Sequence, residues 1–464
     1  MRILLINPPT IHALKKIAGV TGPPLGLAYL AAVARENGFT VKIIDAVAEN
    51  LSLKELSREI KFFDPDVVGV TATTPMIPDA YAVAHITKMI NPNALVIIGG
   101  PHVTFLPERT LRECPYIDIV VRGEGEKTFE ELLNTIDSEK RLQDVRGITY
   151  LDKEGRIRST PPRPLIRNID DIPIPAYDLL PLDKYQIDGI NFATIITSRG
   201  CPYNCIFCSS SALFGHVYRA HSVDRVLEEV SLLRYKFNIR EIEFLDDTFT
   251  LNKKRAKEIS KEIVRNDMDV SWSASSRVNT IDYETALYMR RAGAHTVYLG
   301  IESGTQKILN FIRKKITLNQ ARDAVKVSKK AGLGVLGSFV IGFPIETLQD
   351  INTTISFSKS LDLEAAQYTV ATPYPGTDLW TYSIRHKLLL TEDWRKYTAL
   401  DVVMKSFFLS PKQIKRLLFK AYVSFYLRLK YIVEDIVKRG GLITLKAIVG
   451  TIKSIIEKLW LTKS

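Results

Sequence analysis

Short runs of aliphatic and β-branched residues alternate with amphipathic stretches along most of this 464-residue chain. Such a run is typical of a buried strand, and an amphipathic stretch between two runs is typical of the helix that connects parallel strands. The alternation therefore predicts an α/β protein built on parallel sheets. The length is sufficient for two or three domains with substantial cores.

The first set of alternations, in residues 1–140, predicts a doubly wound, flavodoxin-like domain. The predicted strands are residues 2–7, 40–45, 67–71, 94–98 and 117–121, and the predicted helices are residues 26–37, 53–62, 78–90 and 126–136. Loops rich in glycine, proline, asparagine or threonine follow the strands, and ligands of open α/β sheets bind at such loops. Taken alone, this pattern leaves the ligand open.

Three of the four cysteines stand close together, as Cys201, Cys205 and Cys208 in the spacing C-x3-C-x2-C. Three thiols in so short a loop can face one point, and thiolates select zinc, copper(I) or iron–sulfur clusters. A zinc site completed by His216 or His221 is one alternative, although zinc motifs usually pair two short arms. A disulfide framework is disfavoured because three of the four cysteines are clustered.

The segment from Cys201 to Cys208, with Phe207 directly before the last cysteine, resembles the signature of the radical S-adenosylmethionine (radical SAM) family. In that family three cysteines hold a [4Fe–4S] cluster whose open iron binds SAM. One electron then cleaves SAM to methionine and a 5'-deoxyadenosyl radical. The resemblance implies that these three cysteines are the metal ligands and that a ferredoxin or flavodoxin supplies the electron.

A second set of alternations fills residues 191–400. The predicted strands are residues 192–197, 241–245, 270–274, 296–301, 335–341 and 366–371, and the predicted helices lie near residues 224–235, 253–266, 283–292, 318–331 and 348–360. Six such units suit the partial (β/α)6 barrel of the radical SAM family, whose active residues lie at the carboxyl ends of the strands.

The resemblance also implies a SAM site made of Phe207, Asp246, Arg277, Glu302, Ser303, Gly337 and Gly342. Phe207 and the two glycines are expected near the adenine and Asp246 near the amino group. The other three are expected near the carboxylate or ribose. A salt bridge, a cap or a turn is the structural alternative for each residue. Tyr374 is predicted as a proton or hydrogen donor, with a packing role as its alternative.

Loops at residues 22–30, 99–102 and 122–126 resemble the cobalamin-binding domain of cobalamin-dependent radical SAM enzymes. The implied cobalamin contacts are Thr73, Gly99, Gly100, His102, Gly123, Glu124 and Gly125. Other cobalamin proteins place a histidine on cobalt through a D-x-H-x-x-G motif, which is absent from this sequence. We therefore expect no histidine ligand to cobalt from that loop. A domain that kept its fold and lost cobalamin is the alternative.

Residues 141–190 interrupt the alternation and predict a connector. A β-hairpin is predicted from residues 147–151 and 156–159. Six prolines then fall within residues 161–181. Proline cannot join a helix interior or a central strand, so this part predicts a stiff link between the two domains.

The net charge of +12 is concentrated in the carboxyl-terminal region, residues 401–464. Residues 405–464 contain thirteen Lys or Arg and three acidic residues, a net of +10. Residues 411–464 predict two amphipathic helices, which either cap the barrel or lie on an anionic membrane surface. Nucleic acid is disfavoured because aromatic residues are not interleaved with the basic ones. Signal-peptide and membrane-span patterns are not found, so a cytoplasmic protein with possible peripheral membrane contact is predicted.

The resemblance covers about residues 1–400 and extends to anaerobic magnesium-protoporphyrin ester cyclases, hopanoid methylases and archaeal tetraether lipid ring synthases. It implies hydrogen abstraction from an unactivated C–H and then carbon–carbon bond formation, by ring closure or methylation. The basic amphipathic tail favours a hydrophobic, lipid- or isoprenoid-like substrate. A cobalamin-dependent C-methyltransferase acting on a soluble natural product or peptide is the alternative. A non-enzymatic cobalamin sensor or scaffold is a remote third.

Overall fold

A computed structural model of the chain describes residues 1–10, 21–138, 141–187 and 189–428. Its first sheet has seven strands in the order β2-β1-β3-β4-β5-β6-β7. They are β1 (Arg2–Asn7), β2 (Thr40–Asp45), β3 (Val67–Thr71), β4 (Leu95–Gly99), β5 (Ile119–Val121), β6 (Ile148–Leu151) and β7 (Ile157–Ser159). The first five run parallel, as predicted, and the last two are antiparallel.

Helices cover both faces of this sheet. They are α1 (Leu25–Glu36), α2 (Leu53–Phe63), α3 (Ile77–Ile90), α4 (Pro101–Phe105), α5 (Pro107–Glu113) and α6 (Glu126–Asp137). In β1 alternate residues face opposite layers, so that Ile3 and Leu5 pack in one core and Leu4 and Ile6 in the other. Burial on both faces explains why the strand is a continuous apolar run. The doubly wound domain is confirmed.

The hairpin predicted inside the connector belongs to this first sheet, because β6 pairs with β5 and β7 with β6. The proline-rich part beyond it is tied to both domains. The Tyr185 hydroxyl donates to the Asp45 carboxylate of the first domain at 2.8 Å. The Tyr177 hydroxyl donates to Glu229 of the second domain at 2.6 Å. Buried side-chain hydrogen bonds therefore attach the link to both domains.

The second sheet also has seven strands, in the order β16-β15-β14-β13-β12-β9-β8. They are β8 (Gln186–Ile187), β9 (Ile190–Ile195), β12 (Glu241–Phe244), β13 (Ser271–Arg277), β14 (Ala294–Glu302), β15 (Gly334–Ile341) and β16 (Ala365–Val370). All but β8 are parallel, and the sheet ends at β16 without closing on β9. The partial six-stranded barrel is confirmed.

The helices of this domain follow the strands. They are α7 (Ser210–Phe214), α8 (Val223–Ser231), α9 (Lys253–Arg265), α10 (Tyr283–Arg291), α11 (Gln306–Phe311), α12 (Leu318–Lys330), α13 (Leu348–Ser360) and α14 (Asp378–Arg385). Helix α8 continues into a π-helical turn, Leu232–Lys236. A separate two-stranded sheet pairs β10 (Ser198–Arg199) with β11 (Arg219–Ala220) on either side of the cysteine segment.

The first predicted tail helix is α15 (Pro411–Tyr426), which packs against the open edge of the barrel. The Tyr422 hydroxyl accepts from the Tyr368 N–H at 3.1 Å and donates to the Tyr368 carbonyl at 2.8 Å. Tyr426 makes the same pair of bonds to Ala366. Two tyrosines thus satisfy the free edge of β16, which would otherwise present unpaired backbone groups.

This packing turns the apolar face of α15 toward the barrel, as in the capping alternative. The second predicted tail helix lies outside the described residues. Among the described helices, none combines the length and the apolar character that a bilayer span requires.

Candidate active site

The three cysteines line one cavity of about 810 Å³ inside the half-barrel. Their loop is fixed to its surroundings, because the Ile206 N–H donates to the Ile312 carbonyl at 3.1 Å and the Ser211 hydroxyl to the Cys201 carbonyl at 3.1 Å. A guanidinium nitrogen of Arg277 lies 3.6 Å from the sulfur of Cys205. The loop therefore presents its thiols from a held backbone.

Burial raises the pKa of the Cys201 thiol and raises that of Cys208 to about 11. A metal must therefore displace the thiol protons, as iron or zinc does when it binds. The histidines proposed for a zinc site lie elsewhere. His221 is buried and bonded through Nδ1 to Asp170 at 2.8 Å, and His216 is exposed. The donor set in the cavity fits an iron–sulfur cluster held by Cys201, Cys205 and Cys208.

Arg277, Glu302 and Phe207, all predicted on SAM, line the same cavity. The Arg277 guanidinium lies 3.6 Å from the centre of the Tyr203 ring. Glu302 has a φ of 67°, a strained conformation for a residue other than glycine, at an irregularity in β14. That turn places its carboxylate 2.6 Å from the Lys314 ammonium, in an ion pair that is almost fully buried. Charges of both signs thus line the same cavity as the thiols.

Asp246 does not line this cavity. It accepts four hydrogen bonds, from the backbone N–H groups and hydroxyls of Thr197 and Ser198, at 2.6 to 3.1 Å. These bonds hold the end of β9 where the chain enters the cysteine loop. Its neighbour Asp247 lines the cavity instead, and there it accepts a 2.5 Å bond from Ser210. Burial raises the pKa of the Asp247 carboxyl. The structure does not place Asp246 where it could contact the SAM amino group, and we now predict that contact for Asp247.

Ser303, Gly337 and Gly342 also lie outside the cavity lining. Ser303 is fully buried, and its hydroxyl lies 3.1 Å from that of Thr354. Gly337 faces the helix layer, where an added Cβ would lie 2.7 Å from Leu363. The Gly342 N–H donates to Glu346 at 2.6 Å in a turn covered by α15. The positions of these three residues therefore favour the structural role that the sequence analysis gave as the alternative to SAM binding.

Tyr374 is the one catalytic prediction, and its position favours the packing alternative. Its hydroxyl donates to the Tyr397 carbonyl at 3.2 Å, and its ring packs with the core of the first domain. Burial raises the pKa of this phenol to about 12. The residue does not line the cavity that holds the thiols, so the side chain is not placed to transfer a proton there.

Sequence reasoning missed several residues that line the cavity: Tyr203, Glu243, Asp247, Tyr298 and Lys314. Lys314 stands in the basic run 313–315, which is typical of a solvated surface. Glu243 and Tyr298 follow the inward alternation of β12 and β14, which could have identified them. Tyr203 lies inside the cysteine motif itself.

A second cavity, of about 320 Å³, lies at the carboxyl ends of the first sheet. Gly99, Gly100, Gly123 and Gly125 line it, as predicted for cobalamin contacts, together with an apolar floor. Gly100 has a φ of 116°, and an added Cβ would lie 2.6 Å from the Ala72 carbonyl. The volume falls in the range of about 300–1,000 Å³ typical of small-molecule sites. Glycine rims and an apolar floor fit the flat benzimidazole end of cobalamin.

Thr73 and His102 lie outside the lining of this cavity. Thr73 is exposed and precedes a one-turn helix. His102 is buried against Trp394, with ring centres 4.8 Å apart, and neither ring nitrogen has a hydrogen-bond partner among the described residues. Burial lowers its pKa to about 4, so the imidazole is neutral. Neither Thr73 nor His102 is therefore placed to contact a ligand in this cavity.

Glu124 lines the cavity, but its carboxylate is bound within the protein. Arg199 reaches it at 3.2 Å and Arg219 at 2.8 Å, and Arg199 also pairs with Glu126 at 2.6 Å. All four side chains are at least 90% buried. The two carboxylates come from the first domain and the two arginines from the second, so this ion cluster joins the domains.

Residues 11–133 match the family model of the B12 binding domain, and residues 195–358 match that of the Radical SAM superfamily. The chain is 56% identical over 453 residues to the uncharacterized methyltransferase PH0819 of Pyrococcus horikoshii, covering 98% of each chain. It is 32% identical over 413 residues to the anaerobic magnesium-protoporphyrin IX monomethyl ester cyclase of Rubrivivax gelatinosus, covering 87% of this chain and 74% of the relative. The chain belongs to the radical SAM enzymes with a B12-binding domain.

The fold of this radical SAM enzyme is shared with a solved structure, the cobalamin-dependent enzyme OxsB with aqua-cobalamin and SAM bound. The TM-score is 0.77 at 16% identity, over 100% of this chain and 72% of the other. The predicted family, fold and cofactors are confirmed: a [4Fe–4S] cluster, SAM and cobalamin. The cluster supplies the electron that cleaves SAM, and cobalamin supplies methyl-transfer or redox chemistry. The chain contributes the thiol loop, the Arg277 and Glu302 charges beside it, and the glycine-rimmed cavity.

Proposed function

We propose that this radical SAM enzyme transfers a methyl group to an unactivated carbon of a largely hydrophobic, lipid- or isoprenoid-like substrate. The observation that carries the proposal is the segment 196–214, which lies between the two cavities. Ile196, Arg199 and Phe214 line the glycine-rimmed cavity, whereas the three cysteines and Phe207 line the barrel cavity. Groups bound in the two cavities are therefore neighbours across one segment, as a reaction that uses both cofactors requires.

The far wall of the barrel cavity supports an apolar substrate. Its apolar part consists of Leu336, Leu400 and the rings of Tyr422 and Tyr426, and Ser338, Gln367 and Thr369 add polar groups. The hydroxyls of both tyrosines are bonded to the backbone of β16, so the rings present mainly their apolar surfaces. This wall suits a hydrocarbon body such as an isoprenoid chain.

Glu243 is an acidic residue of the cavity lining and indicates one hydrogen-bond donor on the substrate. It lines the cavity, and its side chain has no hydrogen-bond partner among the described residues. Burial raises the pKa of the Glu243 carboxyl, and the nearby negative charge of Glu241 raises it further. A carboxyl group left unpaired in a cavity is stabilised by a donor on the ligand. A hydroxyl or amine at one end of the hydrocarbon body would meet this requirement.

Methyl transfer and ring closure differ in the products that they release from SAM. Methylation consumes two SAM molecules and two electrons. One SAM gives its methyl group and leaves S-adenosylhomocysteine. The other is cleaved to methionine and a 5'-deoxyadenosyl radical that takes the substrate hydrogen. We propose that a reduced ferredoxin or flavodoxin supplies the electrons. Ring closure would release 5'-deoxyadenosine without S-adenosylhomocysteine.

The test uses the full chain, reconstituted anaerobically with iron, sulfide and cobalamin, and geranylgeraniol as the probe substrate with methyl-deuterated SAM. We expect equal amounts of S-adenosylhomocysteine and 5'-deoxyadenosine and a deuterated methyl product. Release of 5'-deoxyadenosine without S-adenosylhomocysteine would contradict methyl transfer and favour ring closure. Methylation of polar amino acids or peptides but not of geranylgeraniol would favour a C-methyltransferase acting on a soluble substrate, as the methyltransferase name of the 56% identical relative also allows.

A further inference from the structure

Six exposed residues near the start of α15 form a surface that the reaction does not use. They are Arg385, Lys387, Lys405, Phe407, Phe408 and Lys412, and we call them the basic-aromatic surface. Two segments bring them together. The Lys405 N–H donates to the Leu388 carbonyl at 2.7 Å, and the Phe407 ring centre lies 6.2 Å from that of His386.

The two phenylalanines are exposed by an ordered turn. Phe407 is 50% exposed and Phe408 is 61% exposed. The Phe407 N–H donates to the Pro344 carbonyl at 2.9 Å. The Ser406 hydroxyl donates to the same carbonyl at 3.1 Å and accepts from the Phe408 N–H at 3.2 Å. Adjacent large apolar side chains held in solvent mark a surface that a partner covers.

The positive charge around the phenylalanines is uncompensated. The four cations of the surface have no carboxylate partner among the described residues, whereas nearby Arg313 pairs with Asp378 at 2.6 Å and Lys307 with Asp350 at 2.7 Å. Residues 429–464, which continue from α15 in sequence, contain seven Lys or Arg and three acidic residues. The covering partner must therefore be anionic as well as apolar.

We propose that the basic-aromatic surface docks this enzyme on an anionic lipid bilayer. Phe407 and Phe408 enter the interfacial layer while Arg385, Lys387, Lys405 and Lys412 meet lipid phosphates. Aromatic side chains beside long cations are the combination that binds such an interface. The apolar face of α15 is occupied by the barrel, so this surface differs from the amphipathic tail face considered from sequence. The proposal does not depend on which substrate the enzyme methylates.

Vesicle flotation of the full, reconstituted chain tests the proposal, with vesicles of phosphatidylcholine alone or mixed with phosphatidylglycerol. We expect binding to the mixed vesicles only, weakened by high salt. The double variants Phe407→Ser with Phe408→Ser and Lys405→Glu with Lys412→Glu should each lower the bound fraction at least ten-fold. The matched controls are also double variants. Phe62→Ser with Met89→Ser, 86% and 71% exposed, and Lys254→Glu with Lys261→Glu, two exposed cations on α9, should bind as the unaltered protein does.

The bound fraction of the two double variants decides the proposal, and equal iron content confirms that each variant is folded. Binding equal to that of the unaltered protein overturns it, as does failure of the unaltered protein to bind. A chain ending at residue 428 separates the surface from the following residues. Retained binding by that chain supports the surface. Loss of its binding, while the phenylalanine variant still binds, would assign docking to residues 429–464 and overturn the proposal.

Discussion

Arg199 of the barrel, two residues before Cys201, pairs with Glu126 of the B12-binding domain at 2.6 Å. Burial alone would raise the pKa of Glu126, but the adjacent guanidinium lowers it overall, so the carboxylate is charged. The strand that delivers the thiol loop is thus fixed directly to the domain that lines the other cavity. This contact therefore couples the interdomain position to the position of the cysteine loop.

We expect Arg199→Met to destabilise the protein by about 3–5 kcal/mol, because it leaves the buried Glu126 carboxylate without its cation, whereas Glu124 keeps Arg219. The free energy of unfolding in urea and the cobalt retained after gel filtration are the measurements, and both should fall. Lys127→Gln, which removes an exposed ion pair with Glu130, is the control and should change the unfolding free energy by less than about 1 kcal/mol. Unchanged cobalt retention in Arg199→Met would argue against a positioning role.

The cluster assignment predicts that Cys205→Ala lowers iron from about four per chain to below about one and abolishes SAM cleavage. Cys114→Ala removes a buried thiol from the core of the first domain and should keep both. Iron analysis and 5'-deoxyadenosine release are the measurements. Loss of iron in both variants would mean that the cluster depends on general folding rather than on the segment from Cys201 to Cys208.

The neighbours Asp246 and Asp247 should separate stability from cofactor binding. Asp246→Ala leaves two N–H groups and two hydroxyls unpaired at about 1–3 kcal/mol each, so we expect a large loss of stability. Asp247→Asn should keep the unfolding temperature and weaken SAM binding about ten-fold, measured by calorimetry on the reconstituted protein. Normal SAM affinity in Asp247→Asn would remove this residue from the site.

Glu243→Gln should raise the KM for geranylgeraniol about ten-fold and lower kcat less, because the amide changes the partner of the substrate hydroxyl but not the shape of the cavity. Glu241→Gln is a matched control on the same strand, since the Glu241 carboxylate is already paired with His295 at 2.7 Å. Steady-state rates of methyl transfer provide both constants. A KM that rises equally in both variants would contradict a direct contact.

Glu346 predicts a pH dependence of stability. Burial raises its pKa from 4.5 to about 8, although the Phe343 and Gly342 N–H groups oppose the shift. Between about pH 4.5 and 8 the folded chain keeps this proton and the unfolded chain loses it, so stability falls as the pH rises through that window. Glu346→Gln should flatten this slope and be more stable than the unaltered protein by a few kcal/mol at the alkaline end. Anaerobic urea unfolding at several pH values measures it. Parallel curves for the two proteins would contradict the raised pKa.

The strands of the first sheet were predictable from sequence because their apolar runs are continuous, as from Ile3 to Ile6 in β1. The position of Asp246 was not, because the strand ends at Phe244 and the alternation of faces no longer applies beyond it. Gly337 could have been placed outward from that alternation, since Leu336 and Ser338 face the cavity on either side. The pairing of Lys314 with Glu302 depends on the positive φ of Glu302, which no local sequence pattern predicts. The spacing of the three cysteines predicted that they would line one cavity, whereas their role as cluster ligands came from the family resemblance and stays a prediction.

The segment 196–214 is a partition common to two pockets. A side chain enlarged on one face moves the backbone that supports the other, so neither cofactor site is free to vary alone. Diversification toward new substrates is left to walls that serve one pocket, which are β15, β16 and α15. A library that varies Leu336 and Gln367 could therefore change what the enzyme accepts while its metal and corrinoid chemistry stays in place.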